Sequence, residues 1–394
     1  MSKLKLLTQI NFKNKIALIR VDYNVPLNKE LEVTDDTRIK NSLETINYII
    51  KNGGSCILMT HLGRPKGNGY EKKLSIENII PNIEKITNKK INLINTFNNI
   101  DLDIKSGSIS ILENLRFNKE EKLGDESFSK ELSSLGDIFV NDAFGTTHRK
   151  HSSTYTIAKY FNEKCIGKLI EIELYNIKKI LKSKIKPFTA ILGGYKVSEK
   201  IGVIEKLINK VNHIIIGGAM ANTFIKAKGG NIGSSVYEND KIKIALKLLK
   251  KAIKNNVEIH LPLDCIIAKE IKKGTELEVS PSNSIKNNMM NLDIGPKSLA
   301  SFEKIIKNSK KILWNGPMGV FEIDEFSNGT NKIAELVSNV TLKGSFTLVG
   351  GGDSVAAINK NKINKNISFI STGGGALLDY ISNENLPAIE VLKY

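Results

Sequence analysis

Short runs of β-branched and other apolar residues recur along the chain, and between them lie longer stretches in which apolar residues return every three or four positions. Alternation of that kind predicts βα units, with strands buried in parallel sheets and helices covering them. In the first half the runs fall at Ile16–Val21, Cys56–Thr60, Ile109–Leu112 and Asp137–Val140. In the second half they fall at Phe188–Leu192, His213–Ile216, Val257–Leu261, Lys311–Trp314, Phe346–Val349 and Ser368–Ser371. Two parallel sheets follow. Between the two sets, Leu169–Ser183 keeps helical spacing with no Gly or Pro, which predicts one connecting helix. The Gly- and Lys-rich segment Lys66–Lys73 reads as a mobile loop.

Open α/β sheets place their ligands at the carboxyl ends of their strands. In the first half those ends carry Asp22-Tyr23-Asn24, His61-Leu62-Gly63-Arg64, Glu113-Asn114-Leu115-Arg116, and Asn141-Asp142 with His148-Arg149 just beyond. Guanidiniums with histidines and amides suit a small molecule rich in carboxylate and phosphate oxygens. In the second half the ends carry Gly193-Gly194, Gly217-Gly218, Gly316-Pro317, Gly350-Gly351-Gly352-Asp353 and Gly373-Gly374-Gly375. Glycines let main-chain amides and helix N-termini approach phosphate, which suits a nucleotide. Lys196 and Lys200, four apart, would share one helix face beside the first of these turns if a helix began there.

Composition narrows the picture. A length of 394 residues fits two or three domains, and with 41% hydrophobic and 25% charged residues each half can bury a core. The excess of 58 basic over 41 acidic residues, +17, does not by itself choose a partner; the lysines are scattered, often beside Ile and Asn. Cys56, Cys165 and Cys265 are far apart and form no CxxC, so a reducing, cytoplasmic setting is expected. Neither a run long enough to span a membrane nor a signal-peptide core is visible. His148 and His151 have metal-ligand spacing but lack an evident third ligand, and GxSxG, Walker, complete GxGxxG and HExxH patterns are missing.

These segments, taken together, resemble the phosphoglycerate kinase family along nearly the whole chain. The resemblance rests on Arg20–Pro26, His61–Pro65, Glu113–Phe117, Asn141–Gly145 with His148-Arg149, Leu192–Val197, Leu313–Glu322, Gly350–Ser354 and Ser371–Leu377, in the family's order. It implies an α/β fold of two doubly wound, Rossmann-like parallel-sheet domains joined by an interdomain helix. The substrate domain would span 1–170, the helix 171–185 and the nucleotide domain 186–379, with 380–394 returning to the first domain. It implies reversible phosphoryl transfer from 1,3-bisphosphoglycerate to ADP, giving 3-phosphoglycerate and MgATP in glycolysis, by a monomer that binds neither nucleic acid nor membrane.

Residue by residue, the resemblance assigns the acid to Asp22, Tyr23, Asn24, Arg38, His61, Leu62, Gly63, Arg64, Arg116 and Arg149. It assigns the nucleotide to Lys196, Lys200, Gly295, Asn315, Glu322, Gly350, Gly351, Gly352, Asp353 and Ser354, with Asp353 near Mg²⁺. Arg38, Lys196, Gly373 and Gly374 would meet the transferring group. The acceptor in the ATP-consuming direction is a carboxylate, ionised near neutral pH, so no general base is required. Domain closure about the helix is expected to precede in-line transfer. Tyr195, Ala219 and Asn222 depart from the family's pattern and predict crowding near the nucleotide. An NAD-dependent oxidoreductase is disfavoured by the missing GxGxxG, and a nucleic-acid binder by the lack of a basic-aromatic stacking motif.

Overall fold

The computed structural model describes residues 3–95 and 104–394. The chain forms two compact units, one comprising Met1–Tyr175 with Glu384–Tyr394 and the other Asn176–Asn383. The helix Lys168–Lys182 carries the chain from one to the other, and the division falls within it.

The first unit is built on six strands: β1 (Ile16–Arg20), β2 (Ser55–Met59), β3 (Ile91–Ile94), β4 (Ile109–Leu112), β5 (Ile138–Asn141) and β6 (Lys164–Ile166). They pair in the order β3-β4-β2-β1-β5-β6, all in parallel. Every residue of β2, β4 and β5 is buried, which is why these strands read as unbroken apolar runs. The two edge strands were not evident in the sequence. β3 interrupts its apolar pattern with exposed Asn92, and β6 has only three residues. Helix Thr37–Lys51 covers the sheet through Ile39, Ile46 and Ile49, which join Ile19, Val21 and Leu58 in one core.

The C-terminal residues belong to this unit. Ala388 donates its N–H to Thr147 O at 3.1 Å, Lys393 bridges Leu4, and the Tyr394 hydroxyl donates to Asn162 O at 3.0 Å. Lys5 Nζ lies 4.2 Å from the centre of the Tyr394 ring. The segment Lys66–Lys73 is tied to the same unit by the Gly69 N–H to Phe117 O bond and by Tyr70 packing edge-on against Phe117.

In the second unit, β7 (Phe188–Leu192), β8 (His213–Ile216), β10 (Glu258–His260), β15 (Lys311–Asn315), β16 (Phe346–Gly350) and β17 (Phe369–Ser371) form a parallel sheet ordered β10-β8-β7-β15-β16-β17. Its core centres on fully buried Trp314, whose indole N–H reaches Gly316 O at 2.8 Å. Two smaller sheets were not foreseen. β11 (Asp264–Ala268), β12 (Glu278–Pro281) and β14 (Met290–Ile294) pair antiparallel, and β9 (Asn231–Ile232) pairs with β13 (Ser284–Ile285). β9 and β13 have two residues each and β12 is half exposed, so neither apolar continuity nor clean alternation marks them; β11 and β14 are more buried but carry Asp264 and Asn291-Leu292-Asp293 within their runs. In both large sheets helices lie between most successive parallel strands, the doubly wound α/β arrangement.

Candidate functional site

The carboxyl ends of β1, β2, β4 and β5 meet in a pocket of positive charge. Arg20, the last residue of β1, is wholly buried; its Nε donates to Ser153 Oγ at 2.8 Å and its Nη2 lies 3.1 Å from His61 Nδ1. A second bond from Arg20 goes to the Val21 carbonyl. Arg116 follows β4, is 5% exposed, and donates from Nη1 to Gly63 O at 3.1 Å, while its Nε is buried without a hydrogen-bond partner among the described residues. Arg38, near the start of helix Thr37–Lys51, pairs with Asp22. Arg149 is exposed and donates from Nε to His148 Nε2 at 3.1 Å.

So many guanidiniums repel one another and any further proton. Burial first, and then the fields of Arg20, Arg116, Arg149 and Arg38, hold His61 well below the ordinary histidine pKa, so it is a neutral imidazole. His151 is pushed down to about 3 by burial and by Arg116, Arg149 and Arg20. Burial and its cationic neighbours lower even Arg116, to about 10. The internal counter-charges are Asp22 and buried Glu121, which accepts bonds from Ser153 N at 3.0 Å and Ser153 Oγ at 2.7 Å. An arginine whose Nε has no protein acceptor, in a field of this sign, leaves donors for a multiply charged anion.

The rest of the pocket is held by amides. Asn24 Oδ1 accepts from Gly63 N at 2.7 Å, and Asn114 Nδ2 donates to both Leu62 O and Leu74 O at 2.8 Å. Leu62 and Gly63 thus contribute main-chain groups to this framework, and the buried Leu62 side chain belongs to the core. The Tyr23 side chain points into the fold. It is fully buried, and its hydroxyl lies 2.6 Å from Ser42 Oγ. Arg64 stands exposed on the loop after β2. Arg20 and Glu121 join the pocket beyond the residues the sequence points to; the one signal available is an arginine closing a strand otherwise made of Ile, Ala and Leu.

At the strand ends of the second unit a cleft of about 260 Å³ is lined by Gly194, Tyr195, Ala219, Met318, Glu322 and Asp353, among others. Its glycines do two different jobs. A Cβ on Gly193 would meet Pro317 O at 2.0 Å, and one on Gly217 would meet Met318 Sδ at 2.4 Å, so these turns are glycine because neighbouring loops interlock. Beside Gly352 and Gly374 no atom of the described residues, apart from the adjoining chain, lies within 4 Å of the Cβ position, so their main chain faces open space. Gly352 begins helix Gly352–Lys360, and Asp353 is exposed in that helix's first turn. Ser354 is buried and accepts from Gly316 N at 2.7 Å.

Other nucleotide candidates face inward. Asn315 is buried and donates to Gly350 O at 2.8 Å; a Cβ on Gly350 would meet Leu377 Cδ2 at 2.3 Å, and one on Gly295 would meet the Asp264 carboxyl at 2.4 Å. On Gly351 the nearest atom to a Cβ would be Asn315 Nδ2 at 2.8 Å. The Gly373 N–H is directed to Ser371 Oγ at 3.1 Å. Lys200 is buried, which lowers its pKa, and its Nζ lies 3.5 Å from the Cβ position of Gly194; Lys196 is exposed, 3.8 Å from Glu199. Tyr195 is 60% exposed on the cleft wall. Asn222 is buried and braces the wall, donating to Val236 O at 3.0 Å and accepting from the cleft residue Asn291 at 2.8 Å.

Residues 7–384 match the family model described as phosphoglycerate kinase. The chain is 44% identical to the phosphoglycerate kinase of Chlorobium limicola, over 99% of both chains, and 43% identical to that of Francisella philomiragia, over 98% of this chain and 97% of the other. Among solved structures, that of phosphoglycerate kinase from Coxiella burnetii matches with a TM-score of 0.87 at 37% identity, covering 99% of each chain. The Pyrococcus horikoshii enzyme matches with a TM-score of 0.84 at 31% identity, covering 98% of each.

Proposed function

The chain belongs to the phosphoglycerate kinase family, and from that premise we propose how its residues divide the work of the glycolytic phosphoryl transfer. The arginine pocket of the first unit takes 3-phosphoglycerate or 1,3-bisphosphoglycerate, and the cleft of the second takes ATP or ADP. The observation that carries this reading is the convergence of Arg20, Arg38, Arg116 and Arg149 around a neutral His61. Such a pocket has more positive charge than its own carboxylates balance, so a compact polyanion is its natural complement.

Within the pocket, Arg116 and Arg149 hold phosphate oxygens, and His61, as a neutral imidazole, bonds the acid without adding charge. Arg20 is a positioning residue. Bonded to Ser153 and set against His61, it fixes the ring from behind. Arg38, released in part from Asp22, meets the transferring group, and Lys196 meets it from the nucleotide side. Gly352 and Gly374 bring main-chain groups to the phosphates through space that no side chain occupies. Asp353, an exposed carboxylate at the cleft edge, offers the hard oxygen that Mg²⁺ prefers. When bound, Mg²⁺ neutralises charge on the phosphate oxygens.

The acceptor carboxylate is already ionised, so the protein removes no proton; it orients two anions in line and stabilises the charge spread over the moving phosphoryl. Closure about the helix Lys168–Lys182 on binding both ligands completes the arrangement.

A coupled assay with 3-phosphoglycerate and MgATP tests the assignment. Arg38→Ala and Lys196→Ala should each lower kcat by about 10²–10³-fold, the usual cost of deleting one donor that meets transition-state charge. Full activity in either variant removes that residue from its role. Small-angle scattering that shows no compaction with both ligands bound removes the closure step.

A further inference from the structure

Away from the proposed nucleotide cleft, the edge of the second sheet brings two of the chain's five histidines together with a carboxylate. β10 is the edge strand and pairs in parallel with β8, so that Glu258 stands opposite His213 and His260 opposite Ile215. Residues two apart on a strand share a face, so Glu258 and His260 project on one side, where His213 projects from the neighbouring strand. The three side chains are therefore placed by main-chain pairing and not by a loop.

Their donor atoms form a compact triangle. His213 Nδ1 lies 3.1 Å from His260 Nε2, and each of these nitrogens lies 3.4 Å from Glu258 Oε2. For zinc bonds of about 2.0–2.1 Å at tetrahedral angles, adjacent ligand atoms stand about 3.3–3.4 Å apart. The observed triangle thus has nearly the dimensions of one face of a zinc tetrahedron. We propose that His213, Glu258 and His260 bind one divalent transition ion of the zinc class, four-coordinate, with water in the remaining position.

The donor set selects the ion. Two imidazole nitrogens and one carboxylate suit Zn²⁺, Co²⁺, Ni²⁺ or Cu²⁺, whereas Mg²⁺ and Ca²⁺ require oxygen. The site is thus chemically separate from the carboxylate proposed to meet nucleotide-bound Mg²⁺. Glu258 is 69% exposed, and His213 and His260 are 26% and 21% exposed, so an ion can reach the triangle from solvent. A bound ion would fasten the edge strand β10 to β8.

The test uses the whole protein, stripped with chelator and titrated with Co²⁺ as a spectroscopic probe and Zn²⁺ as competitor at pH 7.5. The expected result is one Co²⁺ per chain with the visible bands of four-coordinate cobalt, displaced by Zn²⁺ and untouched by excess Mg²⁺. Outer-shell partners alone are worth about 10–100-fold in metal affinity, so His213→Ala/His260→Ala should weaken binding by about 100-fold or more. The Glu258→Gln variant, altered at an exposed position, should weaken it with no change in unfolding temperature in chelator, which separates lost binding from lost fold. Zn²⁺ should raise the unfolding temperature of the wild type and not of the double variant. Equal Co²⁺ spectra and affinities in wild type and double variant would overturn the proposal, as would an absence of four-coordinate bands in the wild type. In either case the three groups form only a hydrogen-bonded cluster.

Discussion

The two units share a scaffold and differ in how they meet an anion. Each is a six-stranded parallel sheet with its candidate ligand groups at the strands' carboxyl ends. Yet all five arginines of the chain, Arg20, Arg38, Arg64, Arg116 and Arg149, lie in the first unit, and the second has none. The first candidate site is made of side chains: planar guanidinium forks, partly buried, whose fields lower the pKa values of His61 and Arg116. The second is made of main chain: turns stripped of Cβ atoms, with lysines beside them. A small acid offers few atoms, so each must be gripped by a directional group. A nucleotide offers a chain of phosphates, along which amides and a helix N-terminus can be spread.

The contrast is most exposed to failure at Arg116. Its donors serve Gly63 O and, through a free Nε, the proposed ligand. A bond to a charged group contributes about 1.5–3 kcal/mol, so Arg116→Ala should raise KM for 3-phosphoglycerate by about 100-fold and leave KM for ATP within a factor of about two. Arg116→Lys keeps the charge but loses the fork, and about a tenfold rise should remain. Steady-state kinetics against each substrate decides it; full rescue by lysine would show that the first site also works by charge alone.

The opposite experiment adds atoms to the second site. Gly352 heads a helix and has no neighbour within 4 Å of its Cβ position. Gly352→Ala should therefore leave the unfolding temperature unchanged or slightly raised, since alanine favours a helix by up to about 1 kcal/mol over glycine. If phosphate occupies that space, KM for ATP should rise about tenfold while KM for the acid holds. Gly193→Ala is the contrasting case, because its Cβ would strike Pro317 O and the variant should fail through stability instead.

These glycines mark the limit of what the sequence disclosed. Ile16–Arg20, Ser55–Met59 and Phe188–Leu192 were legible because central parallel strands are buried on both faces and so are continuously apolar. β3, β6 and β12 were not, since edge and short strands need no such continuity. A glycine that lets two loops interlock and one that faces open space are the same letter; only the neighbouring chain separates Gly193 from Gly352. Likewise the burial of Arg20 depends on Ser153, and that of Glu121 on Ser153 as well, contacts formed across more than thirty residues. Arg64, Arg116 and Arg149 stand out in the sequence because guanidiniums are few in this lysine-rich chain and these three follow strands, whereas Arg20, the last residue of β1, does not.

Salt offers a milder test of the same contrast. Charges clustered on side chains attract a free anion over distances that salt screens, with a Debye length near 8 Å at about 0.15 M ionic strength. Raising KCl from about 0.05 to 0.5 M should increase KM for 3-phosphoglycerate several-fold. The rise for MgATP, partly neutralised and held by dipoles, should be smaller. Equal slopes in logarithmic plots of the two KM values would contradict the division into a charged and a main-chain site.

A last test concerns what the units have in common. Each buries a carboxyl against main-chain N–H groups. Asp142 accepts from Leu169 N at 2.9 Å at the start of helix Lys168–Lys182, and Asp293 accepts from Gly329 N at 2.7 Å at the start of helix Asn328–Leu342. Burial pushes Asp142 up to about 8 and Asp293 up to about 7, with hydrogen bonds opposing the rise. The folded state therefore holds protons that the unfolded chain releases above its ordinary carboxyl pKa of about 4. Stability is fully present below that pH and declines as pH rises toward 7 or 8, by at most about 1.4 kcal/mol per pH unit for each group. Asp142→Asn and Asp293→Asn remove the titration and keep an acceptor, so each should flatten the fall of the denaturation midpoint between pH 5 and pH 7. Matching changes of slope in the two variants would show that the scaffolds are electrostatically alike beneath unlike sites. If neither slope moved, both carboxyls would be ionised in the folded protein, and the N–H groups facing them would outweigh burial in each unit.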